Sequence, residues 1–309
     1  MTILARSQLF QQHKTGAHPE CPERLRSFED KFADSDLVRS CRLLDPVVAA
    51  SKDILAVHGQ KVIDVAINLA AAGGGSIDPD TVMSERSLEV ATHAAGTLMS
   101  CVDQVLAGEE TNALALIRPP GHHATKKHSM GFCIYNNVAI AAAHALQNHD
   151  VDRILIVDWD VHHGNGTQDI FYDDERVFFY SIHRYPFYPG TGSDRETGTG
   201  KGLGYTLNKP MEFGTSRQTF LSEFVSGLEA AAKKCKPDLV LISAGFDAHK
   251  DDPVGNIGLE THDFAAMTCD VMNVANDYCG GRLVSTLEGG YNLGVLPDCI
   301  EAHLKELRS

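Results

Sequence analysis

"ILIVDWDVHHGNGTQ", residues 154–168, opens as a buried strand and closes with acids, imidazoles and glycines, and that change decides the fold class. Ile154, Leu155, Ile156 and Val157 are apolar on both faces of an extended chain, the pattern of a strand covered from both sides in a parallel sheet. Side chains two apart share a face, so Asp158, Asp160 and His162 point the same way. Carboxylates buried at the end of an apolar strand cost several kcal/mol unless hydrogen bonds or a cation compensate them. So dense a cluster of Asp and His points to a positive charge held there.

Working outward, further core strands are predicted at "NALALI" (112–117), "RVFFYSIH" (176–183), "PDLVLISAG" (237–245) and "RLVSTLEGG" (282–290). Helix-length stretches separate several of them: 84–108, with Ser84 as N-cap and Gly108 as stop, then 136–148, 216–235 and 261–278. Strands alternating with helices make an α/β protein with a mostly parallel sheet between helices. In such sheets sites form at the carboxyl ends of strands. The polar residues cluster there, after 157, 182, 243 and 287, so separate strand ends converge on one crevice. The Gly-rich stretches 70–80 and 196–204 are too short to be linkers, and one domain over 1–309 is expected.

A chain of 309 residues with 43% hydrophobic composition can bury a large core. Its net charge of −14 argues against non-specific nucleic-acid binding, which needs Lys/Arg stripes, and mildly favours cationic substrates. The N-terminus shows no signal peptide and no apolar run is long enough to span a bilayer, so no membrane partner is expected. Eight scattered cysteines without a C-x-x-C pair fit reduced thiols in the cytoplasm. The oligomeric state is not legible.

Three more stretches carry chemistry. "RPPGHHA" (118–124) sets His122 and His123 side by side on a rigid loop; "SAGFDAHKDDP" (243–253) puts Asp247 past a strand; "EGGYN" (288–292) puts Tyr291 behind two glycines. Asp160, His162 and Asp247 supply two carboxylates and one imidazole and leave a position open, the pattern of a catalytic zinc site, and the same donors suit iron, cobalt or manganese. His122 and His123 supply acid–base groups if acceptors fix their tautomers. Asp158 is the natural partner for one, and Asn165 on the "GNG" turn for the other. An Asn partner brings no charge, so its histidine stays less basic. The Tyr291 phenol can donate to a developing oxyanion, and Gly289 and Gly290 allow close backbone approach.

Together with "HPECPERL" (18–25), "GFCIYNNVAIAA" (131–142) and "YPGTG" (188–192), these stretches resemble the zinc-dependent histone deacetylase and acetylpolyamine amidohydrolase superfamily, in its class II and bacterial branch. The resemblance implies the arginase/deacetylase fold, a single three-layer αβα domain around a mostly parallel sheet. It implies zinc held by Asp160, His162 and Asp247, with His123 as general base, His122 on Asp158 as electrostatic partner or general acid, and Tyr291 polarising the scissile carbonyl. Structural potassium would involve Asp158, Asp160, His162, Ser181 and Ile182, with a second ion around Phe171, Asp174, Val177 and Tyr205. Arg24 matches an arginine below the active site. An acyl-lysine channel would run between Phe132 and Tyr188, past Gly131 and Val254.

The implied substrate is an acetylated lysine of a protein or peptide, or a small acetylated amine. Tyr188 stands where the channel usually carries Phe. Val254 stands where polyamine-selective relatives carry Glu. The family's substrate-gripping aspartate has no clear counterpart among Asp80, Ser84 and Glu85. A binuclear manganese ureohydrolase would need further bridging carboxylates, one two residues past His162, where His163 leads on instead, and a second Asp where His249 stands. A non-catalytic binder would have lost a ligand or the tyrosine, and this sequence keeps them all.

Overall fold

An uninterrupted apolar run leaves a strand no face to give to water, and the structure, a computed structural model describing residues 1–309, covers such runs from both sides. The strands are β1 (Ile3–Arg6), β2 (Arg42–Leu44), β3 (Gly74–Ser76), β4 (Val82–Ser84), β5 (Asn112–Leu116), β6 (Ile154–Asp158), β7 (Val177–Arg184), β8 (Thr206–Met211), β9 (Leu239–Ala244) and β10 (Leu283–Leu287). The helices are α1 (Glu23–Phe32), α2 (Asp36–Arg39), α3 (Ser51–Leu55), α4 (Gln60–Ala71), α5 (Ser87–Leu106), α6 (Asn137–Asn148), α7 (Asn165–Phe171), α8 (Arg217–Cys235), α9 (Thr261–Cys279) and α10 (Leu296–Leu307).

Eight strands form one sheet in the order β2-β1-β5-β10-β9-β6-β7-β8, and every neighbouring pair is parallel. β5, β6, β9 and β10 are buried along their whole length, as expected of strands covered on both faces. Helices α8, α9, α10 and α1 pack in series as one covering layer, and α5 and α6 pair in the other. On α5, Val90, Ala91, Ala94, Ala95 and Leu98 recur at three- and four-residue spacing and are buried, a helical stripe facing the core. The buried apolar residues make one cluster running from Ile3 to Leu307. No helix is long and apolar enough to cross a membrane.

Ser84 does not cap the helix expected over 84–108. It lies in β4, paired antiparallel with β3, and α5 starts at Ser87 with Arg86 at its cap. The Ser87 hydroxyl instead accepts the Ser84 N–H at 2.7 Å, so the short hairpin claims the serine before the helix can. The stop at Gly108 is as expected, with the glycine at φ 75° just past the last turn.

Candidate active site

The carboxyl ends of β5, β6, β9 and β10 lie side by side, and each delivers chemistry. β6 ends in Asp158, and the turn after it carries Asp160 and His162. β9 leads to Asp247. β5 leads into the 118–124 loop with His122 and His123, and β10 leads to Glu288 and Tyr291. All of these side chains are buried.

Asp160, His162 and Asp247 bring one ligand atom each within 4.8 Å of the others. His162 Nδ1 lies 3.1 Å from Asp160 Oδ1 and 3.1 Å from Asp247 Oδ2. The remaining carboxylate oxygens are held by backbone: Val161 N–H donates to Asp247 Oδ1 at 2.9 Å and Gly289 N–H to Asp160 Oδ2 at 2.8 Å. A Cβ at residue 289 would run into both carboxylates, which is why a glycine stands there, two residues past the end of β10. Burial and the charge of Asp160 push Asp247 up to about 7. Burial acts the same way on Asp160, but His122 and His162 outweigh it and hold that carboxyl below its ordinary value. Two fully buried carboxylates sharing one imidazole form a set short of positive charge, and a divalent ion corrects that deficit. The residues present fit such an ion.

The two adjacent histidines have different partners. His122 Nδ1 lies 3.0 Å from Asp158 Oδ2, and His123 Nδ1 lies 2.7 Å from Asn165 Oδ1. Asn165 begins α7 rather than sitting in a free turn. Burial works against charge on both rings. At His122 the carboxylates of Asp158 and Asp160 outweigh it and raise the imidazole to about 10. At His123 burial is reinforced by charge on His122 and His162, and the ring is held well below its ordinary value. A carbonyl oxygen only accepts, so Asn165 draws the proton to Nδ1 and leaves the Nε2 lone pair of His123 free.

Tyr291 sits on a braced loop. Asp252 Oδ2 accepts its N–H at 2.7 Å, Arg24 Nε donates to the Gly290 carbonyl at 2.6 Å, and the Arg24 guanidinium lies 5.0 Å from the Tyr291 ring centre. Burial pushes the phenol well above its ordinary value, so the hydroxyl keeps its proton. Tyr291 shares a cavity of about 240 Å³ with Asp80, His123, Gly131, Phe132, His162, Phe187, Tyr188 and Val254. Phe187 stacks on His162 with ring centres 5.0 Å apart, and Tyr188 meets His123 edge-on at 5.1 Å.

The residues expected around potassium fall in two places. Asp158 and Ser181 are register partners on β6 and β7, with Ile182 next along the strand. Phe171 accepts the Asp174 N–H at 3.1 Å, and the Tyr205 carbonyl accepts the N–H of Phe179, two residues into β7 from Val177, at 2.9 Å.

With the geometry in place, the family model described as "Histone deacetylase domain" matches residues 18–307. The chain belongs to this family. It is 40% identical over 298 residues to a protein of Archaeoglobus fulgidus named "Probable deacetylase", covering 96% of this chain and 82% of that one. It is 37% identical to the "Histone deacetylase-like amidohydrolase" of Pseudomonas aeruginosa, covering 94% and 77%. The crystal structure of the HDA15 HD domain superposes with a TM-score of 0.91 at 34% identity, covering 99% of this chain and 87% of that chain. The fold is thus the three-layer arginase/deacetylase αβα architecture, and the chain is a histone deacetylase-like hydrolase.

Three residues of the histone deacetylase-type site escaped the sequence reading. Phe187 lines the cavity beside Tyr188. Asp252 ties the Tyr291 loop to the 251–255 turn, also accepting from Val254 and Gly255 N–H. Glu288 accepts the Gly121 and His122 N–H groups at 2.7 and 3.2 Å, bracing the histidine loop from β10. Its signal was a charged residue closing an apolar strand, the argument that singled out Asp158. Among Asp80, Ser84 and Glu85, only Asp80 reaches the cavity.

Proposed function

We propose that this chain is a zinc-dependent deacetylase of N-acetyl-lysine side chains, acting as one catalytic unit over 1–309. The observation that carries the reading is the convergence of Asp160, His162 and Asp247 with two differently partnered histidines and a buried phenol at the floor of one aromatic-walled cavity. Zinc held by Asp160, His162 and Asp247 would supply Lewis acidity, polarising the acetyl carbonyl and easing ionisation of water. Phe132 and Tyr188 would flank the methylene stem of the lysine, and Tyr291 would donate its O–H to the oxygen on which charge develops. His123, with Nε2 free, takes the proton of the attacking water. His122, kept protonated by Asp158, stabilises the charge beside it and returns a proton to the departing amine. Water adds to the carbonyl carbon, the C–N bond breaks, and acetate and a free lysine amine result.

The buried Asp158 beside Ser181, and the carbonyls around Asp174, would hold structural potassium in the same reading. All eight cysteines are free thiols, which supports a reducing, cytoplasmic compartment. A second reading, deacetylation of acetylpolyamines or other small acylated amines, draws on Asp80 in the cavity lining and on the net charge of −14.

The test is acetate release from an acetyl-lysine peptide by the zinc-loaded protein. Release that a chelator abolishes and zinc restores is expected. A protein with zinc bound that releases no acetate from the peptide, but does so from acetylputrescine, would replace the lysine reading with the second one.

A further inference from the structure

A second convergent donor set lies away from the cavity. Asp103 is on α5, His144 on α6, and His149 follows the last residue of α6, where its N–H still bonds the Ala145 carbonyl at 3.0 Å. The two helices pack against each other. His144 Nε2 and His149 Nε2 lie 2.6 and 2.7 Å from the same oxygen, Asp103 Oδ1. The imidazole planes are inclined at 69° with their ring centres 5.8 Å apart. All three ligand atoms fall within 4.8 Å of one another. The side chains are 14, 25 and 42% exposed for His144, His149 and Asp103, within reach of a hydrated ion yet fixed on rigid elements.

We propose that Asp103, His144 and His149 form an accessory site for a divalent transition ion, separate from the Asp160–His162–Asp247 set. Two imidazoles and one carboxylate suit zinc and its neighbours, whereas calcium and magnesium prefer all-oxygen sets. Zinc at about 2.0–2.1 Å from each donor would spread the ligand atoms to roughly 3.3 Å in a tetrahedron. The carboxylate therefore has to withdraw by roughly 0.6–0.7 Å from its present hydrogen-bonded position, and its exposed side leaves room for that.

The site stands at the far end of α6 from the chemistry. Asn136, at the start of that helix, donates to the Ala124 carbonyl of the histidine loop at 3.1 Å, and the helix then runs 12 residues, about 18 Å. An ion here pins α5 to the end of α6 and stabilises the folded chain without entering turnover.

The test uses zinc alone, by equilibrium dialysis and elemental analysis on the whole chain. Wild type is expected to hold two ions per chain. H144A/H149A should hold one and release acetate at the wild-type rate within twofold. His162→Ala, with the other set broken, should hold one ion and still gain thermal stability from zinc. Should the double variant fold poorly, Asp103→Asn keeps the shape and removes the charge, and at least tenfold weaker binding of the second ion is expected. Equal zinc content in wild type and H144A/H149A, whether one or two, overturns the proposal. One ion in wild type and none in H144A/H149A upholds it and instead counts against zinc in the catalytic reading.

Discussion

His122 and His123 are chain neighbours with ring centres 4.0 Å apart, yet one is raised to about 10 and the other held well below its ordinary value. Burial works against charge on both rings; at His122 the carboxylates of Asp158 and Asp160 outweigh it, whereas His123 has the neutral Asn165 amide behind it and the charges of His122 and His162 beside it. Burial makes each partner count for more, because little water screens the charge. The same rule operates elsewhere in the molecule. His58, bonded by the Thr125 carbonyl and Asn136 N–H, is pushed down to about 4, and His303, between Thr268 and Ser285, to about 3. A neutral partner in a dry site gives a neutral imidazole.

The strongest way to break the comparison is His123→Ala. Loss of the free Nε2 should lower kcat by about 10³–10⁴, read as acetate release with zinc content unchanged; a fall under tenfold would move the base elsewhere. Tyr291→Phe should bind zinc normally and lose about 10²–10³ in kcat. If KM rises while kcat holds, the phenol only positions substrate.

Asn165→Asp puts a carboxylate behind both rings and so erases the difference. His123 then becomes more basic, and since it acts unprotonated, the acidic limb of the kcat/KM profile should move up by about one to two pH units. Activity should fall on the acidic side of the profile and be kept in neutral and alkaline buffer. An unmoved acidic limb would show that Asn165 does not set the basicity of His123.

The comparison also reaches stability. His58 and His303 have folded-state values below the ordinary 6.5, so between those values and 6.5 the unfolded chain binds more protons. Stability is full above about pH 6.5 and is lost as pH falls, by roughly 2 kcal/mol per histidine by pH 5. Urea midpoints across this range should decline, and less steeply in His303→Gln. The smallest effect is expected at the rim: Tyr188→Phe should change KM by no more than a few-fold, measured on lysine and polyamine substrates in parallel.

The sequence made the middle of the sheet legible and its margins obscure. β5, β6, β7, β9 and β10 are largely apolar runs with charged or polar groups at or just past their ends, so the runs marked the strands and the residues after them located the site. β1 is four residues and β2 three, too short for a pattern to rise above noise. β8, an edge strand with Asn208, Lys209 and Pro210, carries the polar residues that keep an edge from pairing with other chains, and those same residues hide it as a strand. α7 opens on the glycine-flanked Asn165 and reads as a turn because it is only seven residues long. Phe187 was obscure because nothing local marks a phenylalanine as stacked on His162 rather than packed in the core. Asp80 was obscure for a different reason: it reaches the cavity through a loop, where no periodicity says which way a side chain points.

The place of β10 in the sheet has a consequence for synthesis. It is the last strand in sequence and lies between β5 and β9, so the nascent chain holds two half-sheets, β2-β1-β5 and β9-β6-β7-β8, each with an open edge until residues 283–287 have left the ribosome. Asp160, His162 and Asp247 are already made by then, but the Gly289 N–H that holds Asp160 and the Tyr291 phenol are not. A polypeptide cut short before β10 is therefore an aggregation hazard without hydrolytic use, and this hydrolase switches on only when the closing strand slides into the gap.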